Sequence, residues 1–184
     1  MAGWNKSAAV RALDTLGFNA TNLALARYWL SLWDGNTPPP RGAISPSHIK
    51  KHLPGIAIFD CQPGVSIRCR LAGSAICMGL GMDVTGQDLV ALTPPEHRKA
   101  RLERTSRVAR GAISRRQQRF HSRAGGPVLV EDMQLPLSGM GEDGSRQILY
   151  HADWRPKTLD RREGEIVDGF TMAEGVEYFE LAEI

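Results

Sequence analysis

The sequence predicts an α+β fold in which a five-stranded antiparallel sheet carries helices on one face and has an added N-terminal helix. Three observations predict it. Short runs with the two-residue alternation of strands occur in two groups, with turn residues between the strands of each group. A segment with helix signals lies between the groups, and one apolar helix precedes them. Neighbouring strands within a group can pair as hairpins, which favours an antiparallel sheet.

The composition limits the classes of protein that the chain can belong to. A length of 184 residues fits one domain, 42% hydrophobic residues can form a core, and a formal net charge of +3 does not identify a nucleic-acid-binding protein. No run approaches the roughly 18 apolar residues of a membrane span, and no signal peptide is visible, so we expect a cytoplasmic protein without a membrane partner. The three cysteines, Cys61, Cys69 and Cys77, fit neither a disulfide framework nor a zinc site, so we expect reduced and mostly buried thiols.

The N-terminal part predicts one helix. About the first 18 residues have a weak pattern, and we expect them to be mobile or loosely docked. Asn19 and Thr21 can cap a helix that extends to about Trp33. Two adjoining apolar stripes make this helix more apolar than a surface helix needs to be. Two interpretations stay open: burial within its own domain, or a homodimer contact near Trp29 and Trp33.

A stiff proline-rich connector, Thr37 to Pro40, follows this helix. Ser45 and Pro46 then predict the start of a short helix, with the serine as its cap. His48 and His52 lie four residues apart on it and could share a face. No third ligand is adjacent, so we expect two exposed histidines and no metal.

The first pair of strands is predicted from Ile56 to Asp60 and from Val65 to Leu71, with a turn between them. The second strand has one apolar and one charged face. The segment from Gly73 to Gly86 is too rich in glycine for a long helix and too apolar for a solvated loop. It is expected to be a compact segment of short helical turns that lies on the sheet.

The longest predicted helix begins at Thr93, which is followed by two prolines and by Glu96 in a capping-box spacing, and it extends to about Ala112. Its arginines recur at every third residue and predict a broad basic surface. These arginines are Arg98, Arg101, Arg104, Arg107 and Arg110. A groove for nucleic acid or another polyanion is disfavoured, because aromatic residues are not interleaved and the acidic segment from Leu159 to Ile184 can neutralise the helix.

Three further strands are predicted. Arg115 to Arg123 is polar and is expected to be an edge or partly exposed strand. Val128 to Leu137 and Arg146 to Trp154 form a hairpin. Glu131 shares the core-facing alternation of its strand, so it must reach solvent, pair with an arginine or contact a ligand, and we expect these in that order.

The order of elements resembles the PAS sensory domain, and several motifs resemble its single-domain bacterial PAS-like branch. The resemblance extends from about Leu25 to Trp154. Its most specific part is Arg-Leu-x-Gly, followed about ten residues later by Gly-x-Asp-x-Thr-Gly. The matching residues are Tyr28-Trp29, Pro40-Arg41, Pro46 before Ile49, Leu53-Pro54, Arg70-Leu71-Ala72-Gly73-Ser74, Gly81-Met82-Asp83-Val84-Thr85-Gly86 and Leu135-Pro136-Leu137. On this basis residues 1-20 are an N-terminal extension, residues 21-156 are a PAS-like sensory domain that includes the N-terminal helix, and residues 157-184 are an acidic C-terminal extension.

The resemblance implies a small cavity under the helices that serves sensing or partner control. The residues expected to line it, each with core packing as its alternative, are Ile58, Cys69, Leu71, Ile76, Met78, Met82, Leu129 and Met133. The expected function is a non-catalytic sensory or regulatory domain that binds a small apolar or amphipathic ligand and signals through protein-protein contacts. The alternative is a constitutive dimerisation or adaptor module whose cavity is filled by side chains, and polyanion binding is a third, less favoured, possibility.

No cofactor, metal or catalytic residue is assigned. Haem is disfavoured, because the candidate ligand His97 lies at the first turn of its helix and is expected to point to water. Flavin is disfavoured, because Cys77 lies in Ala-Ile-Cys-Met-Gly and the flavin-binding relatives have an Asn-Cys-Arg-Phe-Leu-type sequence. Gly-x-Ser-x-Gly, His-Glu-x-x-His and P-loop motifs are missing from the sequence. The segment from Gly169 to Ile184 is long enough to dock on its own domain or on a partner protein, and both stay open.

Overall fold

The computed structural model describes residues 4–122, 127–141, 143–155, 167–168 and 176–181. The α-helices in these ranges are α1 (Lys6–Thr15), α2 (Ala20–Ser31), α3 (Ser74–Leu80) and α4 (Pro95–Ala109). The strands are β1 (Ile56–Gln62), β2 (Ser66–Ala72), β3 (Ala112–Ser122), β4 (Pro127–Met140), β5 (Arg146–Arg155), β6 (Val167–Asp168) and β7 (Val176–Glu180). None of the helices within the described ranges is long and apolar enough to cross a lipid bilayer.

The strands form one antiparallel sheet in the order β2-β1-β5-β4-β3-β6, and β7 also pairs with β3. The predicted α+β class with an antiparallel sheet is confirmed. The five predicted strands correspond to β1 through β5, and the C-terminal segment adds β6 and β7. Since β7 pairs with Ala112 to Arg116, β3 is not an edge strand over these residues.

Helices cover both faces of the sheet. Adjacent residues of a strand point to opposite sides, so each strand contributes side chains to both helical layers. We call the side that packs against α1 and α2 the α2 face, and the side that packs against α3 and α4 the α4 face. The α2 face has a core that includes Leu25, Trp29, Ile58, Met133, Leu135 and Leu149. The α4 face has a core that includes Phe59, Ile67, Cys69, Ile76, Val108 and Ile148. The predicted helices of the middle segment therefore share one face, and the added N-terminal helix lies on the other.

The N-terminal helix α1 packs into the core of the α2 face. Ala8, Ala9, Ala12 and Leu13 are buried, and the Asn5 side chain accepts a hydrogen bond from the Ala8 backbone N–H at 3.1 Å. The expectation of a mobile or loosely docked N-terminus is therefore wrong. The buried stripe of this helix is made mostly of alanines, which give a weak hydrophobic pattern and still allow close packing.

The second helix, α2, begins as predicted. The Asn19 side chain caps it by accepting from the Asn22 backbone N–H at 2.9 Å. Trp29 is fully buried and Trp33 is 5% exposed, and their rings meet edge to face with centroids 5.1 Å apart. Both tryptophans are thus buried in their own domain, as the first of the two interpretations of this helix predicted. A homodimer contact through other residues of this helix stays a prediction.

Two predicted helix starts are wrong. Residues 46–52 form successive turns, and a short 3₁₀ turn, Leu53–Gly55, follows them. Pro54 disfavours a helical backbone at the residue before it, which limits any helix in this segment. Thr93 does not cap α4, because its hydroxyl donates to the Leu89 carbonyl at 2.6 Å, and α4 begins without a side-chain cap.

The described part of the C-terminal segment docks on its own domain. Strand β7 pairs with β3, and Leu181 after it is fully buried in the core of the α2 face. Glu180 forms an ion pair with Arg107, whose guanidinium also lies 4.2 Å from the centre of the Tyr178 ring. The tail therefore neutralises part of the basic helix in cis.

Gly73, at the start of α3, is where this segment comes closest to the turn before β1. A Cβ atom at Gly73 would lie 2.3 Å from the Leu53 carbonyl oxygen and 2.4 Å from that of Pro54. We expect Gly73→Ala to lower the free energy of unfolding by about 1–3 kcal/mol, because the main chain must shift. Gly42→Ala is the matched control: no heavy atom lies within 4 Å of that position, and a change below about 0.5 kcal/mol is expected. Urea denaturation measures both, and equal losses would contradict the close approach.

Candidate functional site

A cluster of polar side chains lies between α4 and the sheet, on the α4 face. We define the arginine cluster as Arg101, Arg104, Arg116, Asp132 and Tyr150. The first two belong to α4, and the others belong to β3, β4 and β5. Arg104 and Arg116 both donate to Asp132, and Arg101 lies about one turn before Arg104 on α4. Helix and sheet together therefore bring three cations and one carboxylate into one site.

Asp132 is the anion of the arginine cluster and is fully buried. Its Oδ2 accepts from Arg116 Nε at 2.9 Å and Nη2 at 2.7 Å, and from the Gln118 amide. Its Oδ1 accepts from Arg104, whose Nε donates to the Ser114 hydroxyl at 3.2 Å. Burial raises the pKa of Asp132, but the two guanidinium groups outweigh it and hold this pKa below its ordinary value. The carboxylate is charged and fully engaged.

Arg101 is a third cation of the cluster, and it has no ion-pair partner among the described residues. Its Nη1 donates to the Thr93 hydroxyl at 2.9 Å. Burial, followed by the charge of Arg116, lowers the pKa of Arg101 to about 10, so it stays protonated at neutral pH. Burial also raises the pKa of Tyr150, which stays a neutral hydroxyl. The arginine cluster therefore carries more positive than negative charge.

Helical and strand periodicity explain how the cluster forms. Arg101, Arg104 and Val108 lie on the same side of α4, since their spacings of three and four residues place them one above the other. On β4, Asp132 and Met133 point to opposite faces. The sequence interpretation missed the site for two reasons: it placed every arginine of the helix on a basic surface, and it assigned one buried face to this strand. The available signal was Arg104 four residues before a buried valine.

An apolar core borders the arginine cluster. The rings of Phe59 and Tyr150 contact each other with centroids 5.1 Å apart. Leu102 and Val90 are partly buried against the same core. The polar groups of the arginine cluster therefore lie beside the packed apolar core of the α4 face.

The structure divides the eight residues that were expected to line a pocket. Cys69 and Ile76 are buried on the α4 face, and Ile58 and Met133 are buried on the α2 face. The other four are exposed: Leu71 by 40%, Met78 by 71%, Met82 by 45% and Leu129 by 37%. The eight residues do not come together in one site, because a set chosen by apolar character alone mixes the two faces of the sheet.

The Gly-x-Asp-x-Thr-Gly motif connects α3 to the outer edge of β2. Gly81 ends α3 in the left-handed conformation, with φ of 68°. Asp83 Oδ1 accepts from the Thr85 backbone N–H at 2.8 Å, which lowers the pKa of this carboxyl. The Gly86 N–H then donates to the Cys69 carbonyl at 2.7 Å. The motif thus covers the β2 edge of the sheet.

The described cysteines have no disulfide partners. Cys61 and Cys69 are buried, and Cys77 is partly buried with its Sγ 3.7 Å from Asp83 Oδ1. Burial raises the pKa of both Cys61 and Cys69 to about 11, so these two thiols are protonated and unreactive at neutral pH. The expectation of free, mostly buried thiols is confirmed. His97, the disfavoured haem ligand, is partly buried at the first turn of α4.

A second buried polar network lies on the α2 face around Glu131, which is 2% exposed. Its Oε1 accepts from the Asn19 backbone N–H at 2.8 Å and from Asn22 Nδ2 at 3.0 Å, and its Oε2 accepts from Arg115 Nη2 at 2.9 Å. Of the three expected environments for this carboxylate, pairing with an arginine is confirmed, and exposure to solvent, which was expected first, is wrong. The network fixes the start of α2 on the sheet.

Two histidines extend the same network. His151 Nδ1 lies 2.6 Å from Asn22 Oδ1 and carries the proton between them, since Asn22 Nδ2 donates to Glu131. The ring of His52 contacts that of His151 at 5.3 Å. His52 is buried, so its expected exposure is wrong, whereas His48 is exposed. Within the described ranges, no three His, Cys, Asp or Glu side chains lie close enough to hold a metal ion.

His151 makes the stability of the fold depend on pH. Burial, and secondly the charge of His52, lowers its pKa from 6.5 to about 4. His151 therefore binds a proton more readily in the unfolded chain than in the folded one. The folded state keeps its full stability above pH 6.5 and loses stability as pH falls toward 4. We expect the free energy of unfolding to fall by about 2 kcal/mol from pH 7 to pH 5 because of this residue. Urea titrations at both pH values measure it, and a His151→Gln variant with the same loss would contradict the assignment.

The fold and the site define a class: α+β domains in which short helices cover an antiparallel sheet around an interior polar site. A family model described as the PAS domain matches residues 18–148, more than half of the chain. The chain belongs to the PAS domain family, whose members are sensory and regulatory modules.

Solved structures of PAS and light-oxygen-voltage domains are similar to this chain at low identity. The PAS domain of an HTR-like protein from Haloarcula marismortui is 17% identical, with a TM-score of 0.37 over 59% of this chain and 90% of that chain. The PAS domain of BvgS from Bordetella pertussis is 18% identical, with a TM-score of 0.39 over 61% of this chain and 84% of that chain. A light-oxygen-voltage domain studied with a flavin analogue is 16% identical, with a TM-score of 0.40 over 60% of this chain and 86% of that chain. No curated protein matches the chain.

Proposed function

We propose that this chain is a non-catalytic sensory or regulatory module that binds a small amphipathic ligand on the α4 face and signals through protein-protein contacts. One observation carries the proposal: a buried acceptor atom on β4, the strand that carries Asp132, has no hydrogen-bond donor among the described residues. Gln134 is 4% exposed, and its Oε1 accepts no hydrogen bond from any described residue. Folded proteins leave few buried polar groups unpaired, so such an acceptor, opposite Tyr150 of the arginine cluster in the sheet, supports a ligand site.

The segment around α3 is suited to respond to a ligand. Glycines flank this helix on both sides, and Ile76 is its only residue classed as buried. A segment with so few buried residues moves away from the sheet at modest cost in free energy. A ligand that binds more tightly to one conformation of the segment increases the population of that conformation. In this proposal α3 moves relative to the sheet when the ligand binds beneath α4.

The exposed methionines of α3 and of the turn after it are the proposed contact surface for a partner. Met78 and Met82 have 71% and 45% of their surface exposed, and Leu71 has 40%. Exposed apolar side chains with flexible shapes suit protein contacts. Residues 21-156 form the sensory domain in this proposal, and residues 1-20 and 157-184 are its extensions, of which α1, β6 and β7 pack on it. Free thiols fit a reducing compartment, and we include the cytoplasm in the proposal.

Polyanion binding through α4 has less support. Arg104 pairs with Asp132 inside the protein, and Arg107 pairs with Glu180 of the tail. Ions that are already paired release fewer counterions from a nucleic acid. The exposed methionines Met78 and Met82 also support the alternative function, a constitutive dimerisation or adaptor module. In that module the two methionines contact a second protein without a ligand.

Native mass spectrometry of freshly purified protein tests the proposal. We expect a small non-covalent adduct that is lost on denaturation, and a reduced adduct in Gln134→Leu, because the polar group that holds the ligand is removed. Gln87→Leu is the matched control, since Gln87 is exposed, and it should retain the adduct. A stable dimer at low concentration without any adduct would refute ligand binding and favour the adaptor alternative.

A further inference from the structure

We propose that the β3 edge is a strand-addition site for a partner protein, and that β7 occupies part of it as a competing strand of the chain itself. We define the β3 edge as the side of β3 (Ala112–Ser122) that does not pair with β4. The partner segment is extended, acidic and aromatic, as β7 is. The inference goes beyond the proposed function, because it needs no ligand and names a contact surface other than the exposed methionines.

The main chain of β7 shows how a strand binds to the β3 edge. Strand β7 pairs with Ala112 to Arg116 in antiparallel register, and the Leu181 N–H donates to the Gly111 carbonyl at 2.8 Å. In strand addition, main-chain hydrogen bonds give the affinity, and contacts to alternate side chains give the specificity. The side chains of β7 therefore show what the site accepts.

Two arginines give the site its preference for acidic strands, one on each face of the sheet. On the α4 face, Arg107 forms an ion pair with Glu180. On the α2 face, Arg115 Nη1 lies 3.0 Å from Glu177 Oε2. Neighbouring residues of a strand point to opposite faces, so the odd spacing of these two acids matches the positions of the two arginines.

Aromatic and apolar contacts add to the charges. The ring of Tyr178 lies against the guanidinium of Arg107, 4.2 Å from its central carbon. On the other face Phe179 is partly buried against the core, and Leu181 is fully buried in it. A strand with the order acid, two aromatic residues, acid and leucine therefore fits the site.

The tail pairs with the β3 edge in two pieces. Strand β7 pairs with residues 112–116 and β6 pairs with His121 and Ser122. Between these pairings β3 has four residues, 117–120, whereas the tail has seven, 169–175, so the register shifts by three residues. A continuous strand keeps one register along the whole of β3 and can form ladder hydrogen bonds beyond those of β6 and β7.

The polar contacts of β7 are open to replacement. The side chains of Glu177 and Glu180 are 54% and 39% exposed, and exposed ion pairs contribute little to stability. A tethered strand has an effective concentration of about millimolar, so the identical tail of a second copy at micromolar concentration is a weaker competitor. A partner with a continuous strand gains the additional pairing that displacement of β7 requires.

Fluorescence polarisation with the full-length chain and two labelled peptides tests the inference. The short probe is the peptide of residues 175–184 of this chain. The long probe is Val176–Leu181 preceded by three Thr-Glu repeats, which extend the strand along residues 117–122. We expect the wild type to bind the long probe about tenfold or more tightly than the short one. Leu181→Asp puts a charge in the core and releases the tail, so it should tighten binding of the short probe about tenfold or more.

A charge exchange shows whether the probe lies on the β3 edge. In the Leu181→Asp chain, Arg107→Glu should weaken binding of the short probe, and a short probe with Glu180→Arg should restore it. Lys99→Glu makes the same charge change at an exposed position of the same helix and should leave binding unchanged. Glu180→Arg in the chain is a second releasing variant that does not disturb the core, and it should also tighten binding of the short probe. It replaces Leu181→Asp if circular dichroism shows that the latter is unfolded.

Each contrary outcome overturns a named part of the inference. Equal binding of the short probe by the wild type and the folded releasing variants would show that β7 does not compete for the site. A long probe that binds no more tightly than the short one would overturn the continuous partner strand. Equal losses in Lys99→Glu and Arg107→Glu would place the peptide outside the β3 edge. A wild-type dimer at micromolar concentration that Leu181→Asp abolishes would assign the site to a second copy and overturn the partner.

Discussion

Replacing Asp132 by asparagine is expected to lower the free energy of unfolding by about 3–5 kcal/mol. The amide keeps the shape of the side chain and removes its charge, so Arg104 and Arg116 stay in place without their counterion. Breaking a buried ion pair from one side is costly, because the remaining cations cannot recover the water that they lost on folding. Urea denaturation of the wild type and of the variant measures the difference.

Glu103→Gln is the matched control for Asp132→Asn. Glu103 and Lys99 form an ion pair on the same helix, with 66% and 88% of their side chains exposed. Exposed pairs contribute little, so a loss below about 1 kcal/mol is expected. Similar losses in the two variants would show that the pairs around Asp132 contribute no more than a surface pair.

The same ion pairs predict an acid dependence with a definite sign. The pKa of Asp132 in the folded protein lies below its ordinary value of about 3.9. Its contribution to stability is therefore present above pH 4 or so, and it is lost as pH falls through the lower pKa of the folded state. The Asp132→Asn variant should show a shallower loss of stability in this acid range than the wild type.

The parts of the fold that depend on neighbouring residues could be predicted from the sequence. Asn19 predicts the start of α2, and its cap is made within the same turn. The hairpin of β1 and β2 follows from alternation and from the turn at Gly64, whose φ of 80° suits glycine. Such signals lie within a few residues of each other, so no knowledge of distant contacts is needed to read them.

The candidate site could not be predicted, because its members are distant in the sequence. Arg104 and Asp132 are separated by 28 residues, and their contact depends on the register of β3 against β4. Strand β7 pairs with β3, and Glu177 on it bonds to Arg115, which lies 62 residues earlier. An arginine in a helix is usually exposed, so its burial becomes visible only when the opposing carboxylate is placed.

Trp29 is the anchor of α2, and Trp29→Ala is expected to lower the free energy of unfolding by about 3–5 kcal/mol. The side chain is fully buried in the core of the α2 face, and its Nε1 donates to the Pro136 carbonyl at 3.0 Å. Pro136 lies where the register of β4 against β5 shifts. The indole therefore fills the core and also satisfies a carbonyl at an irregular point of the sheet.

Phenylalanine substitutions separate packing from the hydrogen bond. Trp29→Phe keeps an aromatic ring but leaves the Pro136 carbonyl without its donor, which costs about 1–3 kcal/mol in addition to the change in packing. Trp33 is the matched control, because its Nε1 is buried and donates to none of the described residues. Trp33→Phe removes an unpaired donor and should therefore cost less than Trp29→Phe. Unfolding should be followed by circular dichroism, since both substitutions alter the indole fluorescence. An equal loss of unfolding free energy in the two variants would mean that the hydrogen bond to Pro136 does not stabilise the fold.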